Sequence, residues 1–419
     1  MAEHGKRLAI VVGGGPAPGI NGVISAATIR ARLDGADVIG VQNGFSRIME
    51  DDISRVVPLT IESVSRIHFE GGSVIGTARA NPTKSPALLE NVVKALLRLD
   101  VTQLITIGGD DTAFSAMSIE KQAAGRIRVV HVPKTIDNDL DLPYHIDTFG
   151  YQTARQRGAE IVQAMMVDAK TTGRWYFIVA MGRTAGHLAL GIGKAAGATV
   201  TLVPEEFGKS IRLKTIVDTL AGAIIKRLSV GREDGVAIIA EGLALDLDPN
   251  DLAELSDVER DAHGHIRLAE LDLGGILKRK VLERLKGLGV KLTIAEKNIG
   301  YELRCTAPIP FDQEYTRELG YSAAKFLADG GNGAMVSMQN GEFVAIPFST
   351  MLDPKTGRTR VRRVNPKAPR FLIARDFMIR LRKSDLDDPY SLSKLSEVVG
   401  LKSTEFHDQF AHVVAHEND

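Results

Sequence analysis

The chain has 419 residues, of which 44% are hydrophobic and 25% are charged. That length exceeds what one hydrophobic core usually organises, so we expect two lobes. The 52 Lys and Arg residues balance the 52 Asp and Glu residues, so no global field favours nucleic acid or an anionic membrane. An anionic substrate would have to be held by locally placed cations.

Neither a secretory signal nor a membrane span is predicted. The apolar run at 8–12 is too short for the core of a signal peptide. No uncharged apolar stretch reaches the roughly 18 residues of a membrane helix. Cys305 is the only cysteine, which excludes an internal disulfide and favours a reducing compartment. We therefore expect a cytoplasmic protein.

Short β-branched runs alternate with helical stretches along the first 240 residues. The pattern predicts strands at 8–12, 38–41, 103–107, 128–132, 175–180, 199–203 and 235–240. It predicts helices near 21–33, 88–99, 112–124, 153–170, 187–196 and 214–228. Such alternation is typical of an α/β fold with mainly parallel sheets flanked by helices. The charge-dense segment 250–265 is predicted to be an exposed insertion or a helical excursion.

Glycines, carboxylates and an arginine follow the predicted strands directly. They occupy the segments 13–15, 108–111, 133–139, 181–183 and 241–242. In open α/β sheets, ligands bind at the carboxyl ends of the strands. We therefore expect these segments to converge on an active site in the crevice between two Rossmann-like lobes.

The first of these segments, GGGPAPG, fits neither common phosphate-binding motif. Pro18 occupies the third glycine position of a dinucleotide fingerprint, and Ile20-Asn21 replaces the Lys-Ser/Thr pair of a P-loop. What remains is a glycine-rich turn whose N–H groups, with the following helix N-terminus, would suit a phosphate. The alternative is a tight strand–helix turn without a ligand.

Two adjacent carboxylates follow two glycines in GGDDT. Asp110 is a candidate Mg²⁺ ligand, because Mg²⁺ usually takes one or two carboxylates plus phosphate oxygens of the substrate. Adjacent side chains diverge, so Asp110 and Asp111 need not share a role. A helix N-cap is the alternative, but it explains only one of the two aspartates.

The loop PKTIDND places Asp137 and Asp139 on either side of Asn138. One carboxylate would take the proton of a substrate hydroxyl as it attacks phosphorus, while the other would assist the metal. In isolation, Asp-Asn-Asp is more often an ordinary turn. The neighbouring Lys134 and Thr135, and the other strand-end loops, favour the catalytic interpretation.

Four arginines lie beside glycines or strand ends: Arg79, Arg174, Arg183 and Arg304. An arginine is usually a solvated surface residue. A planar guanidinium with five donors nevertheless suits phosphate recognition. Together the four arginines indicate anion-binding sites in a chain without net charge.

In chain order, the motifs GGGPAPGIN, GTAR, GGDDT, PKTIDND, MGR, the Glu of AEG and GYELR resemble those of the phosphofructokinase family. The resemblance runs from Arg7 to about Ala328, and TIDND and MGR with the GGD segment form a highly specific set. The family implies a phosphoryl-donor lobe at 1–149 plus about 303–350. It implies a sugar-phosphate lobe at 150–302 plus about 351–419.

The resemblance also implies roles for individual residues. Asp137 matches the base that takes the proton of the sugar 1-hydroxyl, and Asp110 and Asp139 match positions associated with Mg²⁺. The donor phosphates are matched by Gly14, Gly15 and Arg79, and Arg79 and Arg183 match arginines that stabilise the transferred phosphoryl group. Contacts to the sugar phosphate are implied for Thr135, Ile136, Asp137, Met181, Gly182, Arg183, Glu241, Tyr301 and Arg304, with Arg174 supplied across a subunit interface.

Two positions resemble the pyrophosphate-dependent branch of the family. Asp111 and Lys134 stand where the ATP-dependent bacterial enzymes carry glycine, and both are implied to be catalytic. A carboxylate at 111 would occupy the volume and charge position of the nucleotide α-phosphate, and Lys134 would supply a compact cation for pyrophosphate. A further difference is Ala295, where an arginine for the sugar 6-phosphate is usual, and Lys297 is the candidate replacement.

The implied reaction is reversible transfer of a phosphoryl group from pyrophosphate to the 1-hydroxyl of D-fructose 6-phosphate, in glycolysis and gluconeogenesis. One alternative is an ATP-dependent enzyme of the same fold. Another is a non-catalytic, sugar-phosphate-binding subunit, although that class would be expected to lack the carboxylates. The family also implies Mg²⁺ and a homodimer or homotetramer whose sugar site is completed across the interface.

Overall fold

The computed structural model describes residues 6–143, 145–253, 272–354 and 359–415. Two units share the chain, and each is formed from two separate stretches of sequence. Unit 1 comprises Met1–Ala154 and Tyr301–Arg362, and unit 2 comprises Arg155–Gly300 and Arg363–Asp419.

The strands of the described residues, in chain order, are β1 (Arg7–Val12), β2 (Asp37–Val41), β3 (Val56–Pro58), β4 (Gln103–Gly108), β5 (Arg128–Pro133), β6 (Trp175–Ala180), β7 (Val200–Leu202), β8 (Gly235–Ala240), β9 (Ile294–Ile299), β10 (Ala334–Gln339) and β11 (Glu342–Pro347). The helices are α1 (Ile20–Leu33), α2 (Ile61–Val64), α3 (Pro86–Arg98), α4 (Asp110–Ala123), α5 (Tyr151–Thr172), α6 (His187–Ala196), α7 (Pro204–Phe207), α8 (Leu213–Leu228), α9 (Pro249–Ala253), α10 (Leu273–Gly287), α11 (Tyr301–Arg304), α12 (Pro310–Ala328), α13 (Pro369–Asp376), α14 (Lys383–Asp387), α15 (Pro389–Val398) and α16 (Ser403–Val414).

Each unit contains one sheet among its described residues. In unit 1 the strand order is β11-β10-β5-β4-β1-β2-β3, and only the edge strands β3 and β11 run antiparallel to their neighbours. In unit 2 the order is β7-β8-β6-β9, with all pairs parallel. The predicted α/β class with mainly parallel sheets is therefore confirmed.

Helices cover both faces of the unit 1 sheet. Along β1, Leu8, Ile10 and Val12 pack with α1 and α12, whereas Ala9 and Val11 pack with α3 and α4. All five residues are fully buried. Because side chains alternate across a strand, a sheet covered on both faces needs apolar residues at every position. This explains why β1 reads as a continuous apolar run.

The predicted elements agree with the structure to within two residues at each end, and β6, β8 and α6 agree at both ends. Strands β3, β9, β10 and β11 were not predicted. Strand β9 lies at an edge and exposes Glu296, Lys297 and Asn298, so it lacks the apolar pattern of a central strand. The charge-dense segment begins within α9, and its part beyond residue 253 lies outside the described residues. None of the described helices is both long and apolar enough to cross a membrane.

Candidate active site

The carboxyl ends of β1, β4 and β5 lie side by side in the unit 1 sheet. The Gly13 N–H donates to the Ile107 carbonyl at 2.9 Å, and the Lys134 N–H donates to the Gly108 carbonyl at 2.8 Å. The sheet therefore brings together the glycine turn, the Asp110-Asp111 pair and the PKTIDND loop, as their positions after strands predicted.

The segment with Arg79 lies against the glycine turn. The Gly14 N–H donates to the Ala78 carbonyl at 2.9 Å, and the Thr77 hydroxyl donates to the Gly14 carbonyl at 2.8 Å. The N–H groups of Gly13 and Gly14 are thus used within the protein. The expectation that the N–H groups of this turn are available to a phosphate is wrong for these two residues, because both N–H groups already donate to backbone carbonyls of the protein.

Two cations lie over the same turn. Lys134 is only 4% exposed, and its Nζ donates to the Gly15 carbonyl. A Cβ at position 15 would fall on the Arg304 guanidinium, and one at Gly14, whose φ is +81°, would lie 3.5 Å from Lys134 Nζ. Glycine at 15 therefore makes room for the Arg304 guanidinium, whereas glycine at 14 is favoured by its positive φ and not by a lack of space.

Arg304 also interacts electrostatically with two other predicted residues. Burial lowers its pKa, and the positive charge of Arg79 acts in the same direction, whereas the Asp137 carboxylate opposes them. The guanidinium carbon lies 5.4 Å from the centre of the exposed Tyr301 ring. Arg79, Asp137, Tyr301 and Arg304 are thus neighbours in unit 1, although three different motifs supply them.

The two aspartates of GGDDT occupy the first turn of α4, where the helix dipole favours negative charge. The N-cap residue is Gly109, so neither aspartate is needed as the cap. Asp111 is exposed, and Asp110 is partly buried. The cap alternative is therefore wrong, and both carboxylates remain candidates for ligand binding.

The PKTIDND loop holds its two aspartates in a largely buried position. Asp137 is 8% exposed and Asp139 is 7% exposed. The Asp137 N–H donates to the Thr135 hydroxyl at 3.0 Å, and the Thr148 hydroxyl donates to the Thr135 carbonyl at 2.7 Å. Ile136 is buried as well. Thr135 therefore supports the backbone that carries Asp137, whatever its contact with a sugar.

His131 is a residue of this site that sequence reasoning missed. It is fully buried in β5, with Nε2 at 3.0 Å from the Gly108 carbonyl and Nδ1 at 2.9 Å from the Thr106 hydroxyl. Because a carbonyl only accepts, Nε2 carries the hydrogen and Nδ1 accepts. Burial lowers the pKa of His131 to about 3, against the hydrogen bond to Gly108, and the nearby Lys134 charge adds to the lowering. A histidine among the apolar residues of β5 carries no local sequence signal of these two hydrogen bonds.

In unit 2, the MGR segment and the Glu of AEG form one cluster after β6 and β8. Glu241 Oε1 accepts the N–H groups of Gly182 at 3.0 Å and of Arg183 at 2.7 Å. Arg183 has φ of +53°, and a Cβ on Gly242 would lie 2.5 Å from its carbonyl. The Met181 side chain packs over Gly300, where an added Cβ would lie 2.8 Å from Met181 Cε and 3.1 Å from Met181 Cβ. Glu241 therefore fixes the turn that presents Met181 and Arg183.

Arg174 does not lie with that cluster. Arg174 precedes β6, whereas Met181, Gly182 and Arg183 follow the same strand. The length of a six-residue strand therefore separates Arg174 from the cluster. At about 3.3 Å per residue, that separation is on the order of 20 Å. Lys297, the candidate replacement for the missing arginine, is exposed on β9 beside Ile178. Convergence of the unit 1 and unit 2 loops on one crevice stays a prediction.

The carboxylates fit a Mg²⁺ ion that is bound largely through its substrate. Within the described residues, no group of three or more His, Cys, Asp and Glu side chains could hold a metal by itself. Mg²⁺ usually takes one or two carboxylates and completes its shell with phosphate oxygens and water. Asp110 and Asp139 supply that kind of donor at neighbouring strand ends.

Curated relatives match the chain over nearly its whole length. It is 50% identical over 417 residues to the pyrophosphate–fructose 6-phosphate 1-phosphotransferase of Thermotoga maritima, covering 98% of this chain and 99% of the relative. It is 48% identical to the protein of the same name from Naegleria fowleri, covering 97% and 95%. A Streptomyces coelicolor protein of that name is 31% identical, covering 82% and 93%.

Solved structures share the fold at lower sequence identity. A pyrophosphate-dependent phosphofructokinase from Marinobacter aquaeolei superposes with a TM-score of 0.66 at 16% identity, covering 94% of this chain and 91% of the other. Phosphofructokinase from Saccharomyces cerevisiae gives 0.66 at 20% identity, and this chain spans half of that longer chain. The family model for phosphofructokinase matches residues 7–327. By these matches, and by the motifs its sheets bring together, the chain belongs to the phosphofructokinase family.

Proposed function

We infer that this chain transfers a phosphoryl group reversibly from pyrophosphate to the 1-hydroxyl of fructose 6-phosphate. The Thermotoga and Naegleria relatives, matched over nearly their full length, are named for these two substrates. Within the chain, the observation that carries the inference is Lys134. Its buried ammonium hydrogen-bonds to the carbonyl of Gly15 in the glycine turn. The ATP-dependent bacterial branch carries glycine at the position of Lys134.

The unit 1 cations would bind the pyrophosphate. Lys134, Arg79 and Arg304 place positive charge around the Gly14–Gly15 turn, and Lys134 is buried while Arg304 is partly buried. Charge interactions strengthen in such a low-dielectric position, where the donors need little reorganisation during the reaction. Asp111, in the first turn of α4, would repel the α-phosphate of a nucleotide by its charge and bulk.

Asp137 would act as the base. Its carboxylate takes the proton of the sugar 1-hydroxyl as that oxygen forms a bond to phosphorus. The bond from this phosphorus to the bridging oxygen breaks, and inorganic phosphate leaves. In the reverse direction, Asp137 returns the proton to the sugar oxygen. Catalysis then rests on positioning and charge stabilisation.

The remaining groups bind the metal and the sugar phosphate. Asp110 and Asp139 would hold Mg²⁺, which when bound neutralises charge on the phosphate oxygens. In unit 2, Arg183 would stabilise the phosphoryl group, and Met181 would contact the sugar. Glu241 keeps both in place through the backbone of the turn.

The single cysteine supports a reducing, cytoplasmic compartment.

A coupled assay with pyrophosphate, ATP and triphosphate as separate donors tests the proposal. We expect turnover with fructose 6-phosphate and pyrophosphate, and a kcat/KM for ATP at or near background. The matched control is Asp137→Asn, which should lose about 10²–10⁴ in kcat. Preference for ATP would overturn the donor assignment. Failure of all three donors in a folded protein would favour the non-catalytic, sugar-phosphate-binding alternative.

A further inference from the structure

Arg362 binds the backbone of the loop that carries Asp137 and Asp139. Its N–H donates to the Asp139 carbonyl at 2.8 Å. Its guanidinium Nη1 donates to the carbonyls of Ile146 at 2.8 Å and Pro143 at 3.1 Å. One side chain from a distant part of the sequence thus reaches both ends of the loop.

The same guanidinium fixes Asn138, the residue between the two aspartates. Nε donates to the Asn138 carbonyl at 3.2 Å, and Nη2 donates to Asn138 Oδ1. The amide of Asn138 donates to Asp147 at 2.7 Å, and Oδ1 also accepts the Thr148 N–H at 3.0 Å. Asn138 has φ of +56°, a left-handed conformation uncommon outside glycine. Asparagine adopts this conformation more readily than most other residues, and the contacts of its side chain fix it there.

Buried carbonyls need donors, and the irregular backbone at 138–146 contains no described helix or strand to supply them. The Arg362 guanidinium supplies donors to the carbonyls of Asn138, Pro143 and Ile146. Burial lowers its pKa, while the carboxylates of Asp147 and Asp139 act in the opposite direction and favour the cation. Five N–H donors on a rigid plane suit this task, whereas a lysine ammonium cannot reach acceptors on both sides.

We propose that Arg362 is a positioning residue that sets the direction of the Asp137 carboxylate by clamping Asn138 and the carbonyls of its loop. The inference rests on the proposed role of Asp137 as the base. A base displaced by about 1 Å loses on the order of 10²-fold in rate while the substrates still bind. The expected signature is therefore a loss in kcat, with little change in KM for either substrate.

The test compares Arg362→Ala, Arg362→Lys and the matched control Arg360→Ala. Arg360 is an exposed neighbour whose guanidinium binds the Asp141 carboxylate at 2.6 Å and the Thr350 carbonyl at 2.7 Å. We expect both Arg362 variants to lose about 10- to 100-fold in kcat and Arg360→Ala to stay near the wild-type value. Millimolar ethylguanidinium should restore part of the activity of Arg362→Ala. It should not restore Arg362→Lys, in which the lysine stem fills the space.

A double mutant separates this proposal from the proposed function. If Arg362 acts through Asp137, Arg362→Ala should cost little further kcat in an Asp137→Asn background, whereas independent effects multiply. An Asp137→Asn enzyme with more than about a tenth of wild-type kcat would overturn the assignment of Asp137 as the base. If Asp137→Asn shows the expected loss of about 10²–10⁴ in kcat and keeps a measurable rate, the clamp alone is overturned by multiplicative losses or by a folded Arg362→Ala with wild-type kcat. Where Arg362→Ala does not fold, Arg362→Lys answers the same comparison.

Discussion

His131 connects the stability of unit 1 to pH. It lies neutral and fully buried under the Gly108 carbonyl, and its pKa is lowered to about 3 from an ordinary value of 6.5. The unfolded chain therefore binds a proton at His131 below pH 6.5, and the folded chain does not. The contribution of His131 to stability is present above pH 6.5 and is lost as the pH falls toward 3.

We expect His131→Gln to flatten the decline of the melting temperature between pH 7.5 and 5. The slope of the unfolding free energy that is removed is at most about 1.4 kcal/mol per pH unit, because the unfolded chain binds one proton more than the folded chain. Thermal unfolding at several pH values measures it. The matched control is His407→Gln, at an exposed histidine of α16, which should leave the pH profile parallel to that of the wild type. Parallel profiles for His131→Gln and the wild type would contradict the buried-neutral interpretation.

Asp111 is predicted to select the donor, and Asp111→Gly should raise the ratio of ATP to pyrophosphate kcat/KM. Two unit charges about 4 Å apart repel by about 1 kcal/mol in water and about 4 kcal/mol at an effective dielectric constant near 20. Since Asp111 is exposed, the lower figure applies, and the ratio should change at least about fivefold. Lys134→Gly should instead damage pyrophosphate use. An unchanged ratio in folded Asp111→Gly would mean that another feature selects the donor.

The start of helix α5 is stabilised by a buried carboxylate from α12. Asp312 is fully buried, and it accepts the Gly150 N–H at 2.9 Å, the Thr153 N–H at 2.8 Å and the Thr153 hydroxyl at 2.6 Å. Burial raises its pKa, and these hydrogen bonds partly oppose the shift. The carboxylate thus satisfies N–H groups that a helix N-terminus leaves without partners inside the helix.

Asp312→Ala should destabilise unit 1 by about 2–4 kcal/mol, because it leaves three buried donors without an acceptor. The matched control is Asp329→Ala at the other end of the same helix, where an exposed ion pair with Lys325 contributes less than about 1 kcal/mol. Thermal unfolding compares the two variants. Equal melting temperatures would show that the contacts of Asp312 are replaced by water.

Elements with apolar cores were predictable from the sequence, whereas those fixed by distant contacts were not. Strands β1, β4, β6 and β8 are mostly apolar and almost entirely buried, and their apolar runs are visible directly in the sequence. Polar β9 gave no such signal. At the site, the motifs located Lys134 and Asp137. The hydrogen bonds of Gly14, His131 and Arg362 depend on residues tens to hundreds of positions away, which no local pattern specifies.

At the scale of the whole molecule, the position of Arg174 bears on the proposed oligomer. Arg174 precedes β6, whereas the cluster of Met181, Arg183 and Glu241 follows β6 and β8 in the same unit. One subunit therefore does not bring Arg174 to its own cluster within unit 2. In a symmetric oligomer, the same surface that offers Arg174 to a partner also receives the partner's equivalent residue. We propose that the sugar site is completed in this way.

Mixing Arg174→Ala chains with Asp137→Ala chains should then regenerate activity that neither variant shows alone. In a hybrid dimer, one site carries both substitutions and the other carries neither, so random pairing should restore about a quarter of wild-type turnover. The measurement is turnover at limiting fructose 6-phosphate after the chains have been dissociated and reassembled together. The control mixes Asp137→Ala chains with Lys134→Ala chains. Both positions lie in the same unit 1 loop, so each subunit of a hybrid carries one substitution in its own site. These hybrids contain no intact site and should stay inactive. Hybrid oligomers of the first pair that form without regaining activity would show that Arg174 does not serve a partner's site.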